Sequence, residues 1–240
     1  MKSFSIIIPT LNEQNYILAI LKDVYSQDIK PNEIIVVDGY SKDNTKKVII
    51  EKFPKVKILS CPPNVSSQRN YGAKNASGAV LFFLDADTKL PTNFFINALS
   101  KINSKNKIIC PYYLPNNSSP LIFSIYLFFN SMFFLFQKIS ASGAGSCIII
   151  EKKLFLKLNG FNINTKFEDI ELIRKASKQT KFSMLNSYVW VSDRRFKKYG
   201  VLRTTLQYFV LSILFLFNQF NYSAGFSYQF GKYNQKNFSD

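Results

Sequence analysis

Residues 79–84, Ala-Val-Leu-Phe-Phe-Leu, run without a polar side chain and stop on Asp85-Ala86-Asp87. A strand that is apolar on both faces needs cover on both faces, which is the situation of a parallel sheet held between two layers of helix. The pattern recurs upstream. Phe4 to Ile8 reads as a buried strand before Pro9, and Glu33 to Val37 as another that runs into Asp38. Between these strands lie segments of helical period: Tyr16 to Tyr25, with Ile17, Ile20, Leu21 and Val24 on one face, then Asp43 to Phe53 and Ser66 to Ala76, with Lys57 to Ser60 as a further short strand. Alternating strands and helices predict right-handed crossovers and a mainly parallel α/β sheet flanked by helices. Ligands of such sheets bind beyond the carboxyl ends of the strands, where Asp38, Asp85 and Asp87 are expected.

Farther along, Thr92 to Ile102 reads as a helix, Lys107 to Tyr113 as a strand and Tyr188 to Val191 as strand-like, while Glu168-Asp169 opens a periodic segment carrying Ile170, Ile173 and Ala176. Leu121 to Phe136 is almost wholly apolar, and Leu206 to Phe217 is shorter still. Both fall short of the roughly 20 residues needed to cross a bilayer. Edged by Lys138 and Arg203, they are expected to lie in the membrane interface; a hydrophobic dimer contact and a pair of helices crossing together stay open. The predicted organisation is one domain over 1–195, with residues 121–139 as an apolar insertion and 196–240 as a membrane-associating C-terminal appendage. The tail from Asn218 to Asp240 is expected to be loosely ordered.

Composition narrows the chemistry. The chain of 240 residues has no histidine, which removes Ser-His-Asp and Cys-His nucleophile systems and a histidine base, so proton transfer and metal binding fall to carboxylates. Three cysteines, Cys61, Cys110 and Cys147, fit neither a disulfide framework nor a zinc site and point to a reducing, cytoplasmic setting. Apolar residues make up 47% and aromatic residues 16%, which predicts apolar surface turned toward lipid. The net charge of +16 suits polyanions, whether nucleic acid, anionic lipid head groups or phosphorylated small molecules, but the lysines are scattered instead of forming one basic block and can equally just solvate the surface, so charge alone does not choose; with the motifs below, nucleic acid is not an expected partner. The run Ile6 to Ile8 is too short for the apolar core of a signal peptide, so export by that route is not expected.

Several side chains are candidates for chemistry. Asp85 and Asp87, two apart where an apolar strand meets solvent, suit a magnesium or manganese ion that shares phosphate oxygens, and equally an acidic turn. Asp38 at another strand end can accept from a nucleobase N–H or a ribose hydroxyl, although a lone strand-end aspartate is more often structural. Arg69, in Gln68-Arg69-Asn70, offers a cationic fork near the same crevice or, alone, a surface charge. Glu168 and Asp169 either supply a general base or complement a helix dipole. Arg194-Arg195 can neutralise a departing diphosphate or, equally, be surface charges.

Together these stretches resemble glycosyltransferase family 2, of GT-A fold. The resemblance rests on Ser5-Ile6-Ile7-Ile8-Pro9-Thr10-Leu11-Asn12-Glu13, on Val36-Val37-Asp38-Gly39-Tyr40-Ser41-Lys42-Asp43-Asn44-Thr45, and on Arg69-Asn70-Tyr71-Gly72-Ala73 through Asp85-Ala86-Asp87. Gly143-Ala144-Gly145-Ser146 with Gly160-Phe161 looks like the family's acceptor-side segment and Glu168-Asp169 like its acidic base motif, over about residues 4–195. The resemblance implies an inverting transfer from a UDP- or GDP-type sugar. Pro9, Thr10, Leu11, Glu13, Asp38, Arg69, Asp85, Ala86, Arg194 and Arg195 would surround the nucleotide sugar. Asp87 with Asp85 would hold a divalent metal, and Asp169, beside Glu168, would be the base. The implied acceptor is a glycan or a lipid-linked molecule at the cytoplasmic membrane face, with a hydroxyl preferred to a polyprenyl phosphate. The chain departs from some members in lacking a histidine metal contact and in carrying Tyr40 where a small residue is common. Two other readings compete. A sugar nucleotidyltransferase would want a glycine-rich basic loop in place of Pro9 to Glu13, and a non-catalytic membrane or nucleotide-binding module would leave the coincidence of Asp38, Asp85, Asp87 and Asp169 unexplained.

Overall fold

A computed structural model describes residues 2–143 and 145–217; the tail from 218 onward lies outside the described residues. The chain lays down strand β1 (Phe4–Thr10), helix α1 (Ile17–Ser26), β2 (Glu33–Asp38), α2 (Thr45–Lys52), β3 (Lys57–Ser60), α3 (Val65–Asn75), β4 (Val80–Leu84) and α4 (Phe94–Lys101). The second half adds β5 (Ile108–Pro115), α5 (Pro120–Phe136), β6 (Cys147–Glu151), α6 (Lys152–Lys157), α7 (Glu168–Ser177), β7 (Phe182–Val191), α8 (Arg194–Tyr199) and α9 (Val201–Leu216). These strands form one seven-stranded sheet in the order β3-β2-β1-β4-β6-β5-β7. Its pairings are parallel except at β6, which runs antiparallel to both β4 and β5.

The expected α/β architecture is therefore present, with three corrections. β6 was not anticipated: its apolar run Cys147–Ile150 pairs Cys147 with Leu84 and brings the preceding glycine-rich loop against the end of β4. β7 begins at Phe182, six positions before the stretch that reads as strand, because its first half alternates polar and apolar side chains along a sheet edge. α9 begins at Val201, where Thr204 and Thr205 return their hydroxyls to the Gly200 and Val201 carbonyls and so stay helical despite their polarity.

Successive strand residues point to opposite faces, and each face has its own core. Ile6, Ile8, Val36 and Phe82 pack under α1 and α4, with Phe82 meeting Phe4, Phe94 and Phe95 at ring distances of 5.2, 6.5 and 5.2 Å. Ile7, Val37 and Phe83 pack under α3, α6 and α7, with Phe83 at 5.1 Å from Phe155 and 4.9 Å from Phe161. α3 lies close on the sheet because it presents Gly72: a Cβ there would stand 2.5 Å from Ile7 Cγ2. Pro9 sits beyond the β1–β4 pairing, which ends at Ile7 opposite Phe83, so its missing N–H removes no ladder bond on that side.

α5 and α9 pack together beyond β5 through Tyr126, Phe129, Phe196 and Tyr208, whose rings meet at 5.8–5.9 Å. Their outer sides remain apolar and exposed at Leu121, Phe128 and Leu135 on α5 and at Leu202, Leu206 and Phe209 on α9. An open groove of about 450 Å³ runs between them, lined by Ile125, Phe128, Phe129, Leu202, Leu206 and Phe209. No helix among the described residues is long and apolar enough to cross a membrane.

Candidate active site

The carboxyl ends of β1, β2 and β4 open on a common crevice, and the loops after β1 and β2 are laced together over it. Asn12 and Tyr40 both adopt left-handed backbone, at φ 57° and 61°. Ser41 Oγ accepts the Asn12 N–H at 2.9 Å, and Asn12 Oδ1 accepts the Lys42 N–H at 2.8 Å. Beneath them Gln68 Nε2 donates to the Thr10 carbonyl at 2.8 Å and the Val37 carbonyl at 2.7 Å, which pins α3 to both strand ends. Asp38 is fully buried; its Oδ2 accepts the Ser41 N–H at 3.0 Å. Its Oδ1, the Thr10 hydroxyl and Gln68 Oε1 are buried and have no hydrogen-bond partner among the described residues. Three acceptors left unpaired in one place carry a free-energy cost, which a ligand bringing N–H or O–H groups would relieve.

Two carboxylate centres flank the end of β4, each with its own arginine. On one side Arg69 is buried, contrary to the surface charge that a helical arginine suggests in isolation. Its Nη2 donates to Asp85 Oδ1 at 2.8 Å and to the Gly145 carbonyl at 2.9 Å, its Nη1 donates to Glu168 Oε1 at 3.1 Å, and its Cζ lies 5.2 Å over the Phe161 ring. Arg69 thus orients two carboxylates at the edge of the crevice. Asp169, half-buried beside Glu168 at the start of α7, accepts the Ile170 N–H at 2.8 Å through Oδ1 and turns Oδ2 toward Gly145. Burial, reinforced by the repulsion between the two acids, pushes Glu168 well above the usual carboxylate range, and burial raises Asp169 against the opposing pull of Arg69.

On the other side Arg194, at the start of α8, grips Glu13 through both terminal nitrogens at 3.3 Å and Asp87 Oδ2 through Nε at 3.2 Å, with its Cζ 5.4 Å over the Tyr16 ring. Burial pushes Glu13 up to about 7 and also raises Asp87, while Arg194 opposes both shifts. Arg195 adds positive charge near Asp87. Ala86, Asp87, Tyr16 and Ser192 line a cavity of about 170 Å³ between the β4 end and the loop before α8.

Residues 5–158 match the sequence profile of the family described as Glycosyl transferase family 2. The chain belongs to that family. Among curated relatives, it is 32% identical over 112 residues to the GalNAc(5)-diNAcBac-PP-undecaprenol beta-1,3-glucosyltransferase of Campylobacter jejuni, covering 43% of this chain and 35% of that one. It is 26% identical over 223 residues to the cholesterol galactosyltransferase of Borreliella burgdorferi, covering 80% and 60%. The chain therefore spans between about a third and about 60% of the length of these relatives. Solved structures share the fold: TarS residues 1–349 of Staphylococcus aureus, at TM-score 0.64 and 21% identity over 88% of this chain and 65% of that one, and the mannosyltransferase PcManGT of Pyrobaculum calidifontis, in complex with GDP-Man and Mn2+, at TM-score 0.67 and 18% identity over 88% and 64%.

For a member of glycosyl transferase family 2 the donor set at the β4 end is chemically suited to a divalent cation. Asp85 and Asp87 offer hard oxygen ligands, and each is paired with a guanidinium that a cation would have to share or displace. Among the described residues no three His, Cys, Asp or Glu side chains gather closely enough to hold a metal alone, so remaining ligands would come from water and phosphate. Of the residues singled out from the sequence, the structure groups Arg69, Asp85 and Glu168 with Asp169 beside them, groups Glu13, Asp87 and Arg194 separately, and buries Thr10 and Asp38 at the ends of β1 and β2. Sequence reasoning missed Gln68 as the amide that joins two strand ends and Tyr16 as the ring beneath Arg194. Gln68 adjoins Arg69, and that adjacency was the available signal; Tyr16 had none.

Proposed function

We propose that the chain is an inverting glycosyltransferase that moves a sugar from a UDP- or GDP-type nucleotide sugar to a hydroxyl of a glycan or lipid-linked acceptor at a membrane surface. The observation that carries this reading is the convergence of Asp85, Arg69 and the Glu168-Asp169 pair on one edge of the crevice, with Asp87 and Arg194 on the other. Buried acceptors at Asp38 and Thr10 suit the nucleobase and ribose. Asp169, with its pKa raised by burial, takes the acceptor proton as the acceptor oxygen attacks the anomeric carbon opposite the leaving diphosphate. Glu168 is committed to Arg69 and positions that edge of the site. Arg194 and Arg195 neutralise the charge that develops on the leaving group. A divalent ion on Asp85 and Asp87 would supply further charge to the diphosphate. The Mn2+ and GDP-Man of the archaeal neighbour, and the UDP-GlcNAc bound by TarS in another solved structure, support the donor class.

Residues 1–195 form the transfer unit in this reading, and α5 with the segment from 196 onward rests on lipid. The apolar outer sides of α5 and α9 support that placement, with basic Lys197, Lys198 and Arg203 beside them. The same surface favours a second acceptor, a polyprenyl phosphate, for which Asp169 would have little proton to remove. The deciding assay supplies UDP-, GDP- and dTDP-sugars with manganese and detergent and follows nucleoside diphosphate release. Release from one donor that Asp87→Ala abolishes supports the enzyme; failure of every nucleotide to bind would sink it. An Asp169→Asn variant with full turnover would move the acceptor to a phosphate.

A further inference from the structure

Arg194 occupies a place that a bound cation and a bound diphosphate would both need. Its Nε stands 3.2 Å from Asp87 Oδ2, and its terminal nitrogens both reach Glu13 Oε1 at 3.3 Å. Asp87 and Glu13 are 12% and 7% exposed at their side chains, so the guanidinium is the near counter-charge of two carboxylates largely withdrawn from water. A divalent ion on Asp87 Oδ2 and a guanidinium at 3.2 Å from the same oxygen repel each other strongly in such surroundings. The two compete for Asp87.

The grip is uneven. Arg194 meets Glu13 with its two-nitrogen fork, the geometry that fixes a guanidinium best, and meets Asp87 with Nε. The neighbours on either side are tied to other elements. Glu13 N–H donates to Thr45 Oγ1 at 2.9 Å, while Asp193, just before Arg194, accepts from Ser118 Oγ at 2.6 Å and pairs with Lys197 at 2.9 Å. The Tyr16 ring supports the guanidinium from below. The fork on Glu13 therefore gives Arg194 an anchor that does not depend on Asp87.

We infer that Arg194 and a divalent ion compete for Asp87, and that a donor diphosphate draws Arg194 from Asp87 while its contact with Glu13 is kept, leaving Asp87 to the ion. This rests on the proposed donor reading and adds an order of events to it. The ion binds poorly alone because Arg194 competes for Asp87, and well with the nucleotide because the diphosphate gives Arg194 another anion. Glu13 is then a positioning residue that acts through Arg194, distinct from its expected role of holding the nucleotide itself.

The test measures Mn2+ affinity by electron paramagnetic resonance and UDP and GDP affinity by calorimetry on the full chain, as wild type, Arg194→Gln and Glu13→Gln, without any acceptor. A nucleotide that binds should tighten Mn2+ binding in the wild type, and Mn2+ should tighten that nucleotide by the same factor. Arg194→Gln should tighten Mn2+ alone by about tenfold, since a competing charge is gone, and weaken the nucleotide by about tenfold, since its partner is gone. Glu13→Gln should move both affinities down. A structural defect weakens both ligands in Arg194→Gln, so the opposite signs are diagnostic. Unchanged or weaker Mn2+ binding by Arg194→Gln overturns the exchange while leaving the donor reading standing. Failure of Mn2+ and both nucleotides to bind any variant overturns both.

Discussion

Arg69 Nη2 and Asp85 Oδ1 meet at 2.8 Å, with the arginine side chain 3% exposed and the aspartate 36% exposed. The same guanidinium holds Glu168, which is 10% exposed. One buried cation therefore ties the end of β4 to the start of α7. Arg69→Met should lower folding stability by about 3 kcal/mol, since breaking a buried pair strands its partner. Glu168 can escape by taking a proton, so the loss should be larger at pH 8 than at pH 6 in urea denaturation. Arg69→Lys keeps the charge without the fork and should recover part of the stability while turnover stays low. Equal stability of Arg69→Met and wild type at pH 8 would mean the pair does not hold this edge together.

Two glycines of one loop should fail in different ways. A Cβ on Gly145 would overlap the Asp169 carboxylate, whereas a Cβ on Gly143 would stand 2.8 Å from Cys110 Cβ in the core. Gly145→Ala should displace Asp169 and reduce turnover by about a hundredfold, the typical loss when a reacting group moves by about 1 Å. Gly143→Ala should mainly lower the melting temperature through overpacking. Matched losses of activity and stability in both variants would contradict this division of the loop.

These contrasts mark how far the sequence could be read. Asp38, Asp85 and Asp87 were legible because apolar runs end on them, and strand ends are where an α/β sheet meets its ligands. The interior setting of Arg69 was not legible. A charge in a helix reads as surface until Asp85, Gly145 and Glu168, separated widely along the chain, are folded around it. β6 was hidden for another reason: Cys147–Ile150 is an apolar run without periodicity, and nothing in it announces that it turns antiparallel between β4 and β5. α9 was cut short because Thr204 and Thr205 look like breaks in an apolar pattern, although each satisfies its hydroxyl within its own helix.

The Glu168-Asp169 pair predicts opposite pH trends for activity and stability. Burial raises both carboxyls. A base must be ionised to work, so kcat/KM should rise with pH through a limb displaced above the ordinary carboxylate range near 4. An acid whose folded pKa is raised contributes stability that is complete below its unfolded pKa and is lost as pH rises through the folded value. The protein should therefore become more active and less stable across the same window. Asp169→Asn should lower turnover by about 10²- to 10⁴-fold for a hydroxyl acceptor, while flattening the fall in stability. A rate profile that stays flat down to pH 4 would remove Asp169 as the base.

The outer faces of α5 and α9 predict where the protein stands relative to lipid. Leu202 and Leu206 are 84% and 58% exposed, and Leu206 lines the groove shared with Phe128 and Phe129. Inserting a leucine into an apolar phase gains about 1.5–3 kcal/mol, so each Leu→Glu change should reduce partitioning by about tenfold or more. α9 is also joined to the site at both ends. α8 leads into it from Arg194, and Phe215 packs on Phe167, next to Glu168, at a ring distance of 4.9 Å. Flotation with anionic phospholipid vesicles should carry the wild type upward and leave Leu202→Glu/Leu206→Glu behind, with high salt weakening the remainder through the lysines of α8. If the double variant floats as well as the wild type, or if it differs only by losing a dimer in sedimentation, the apolar faces meet protein instead of lipid.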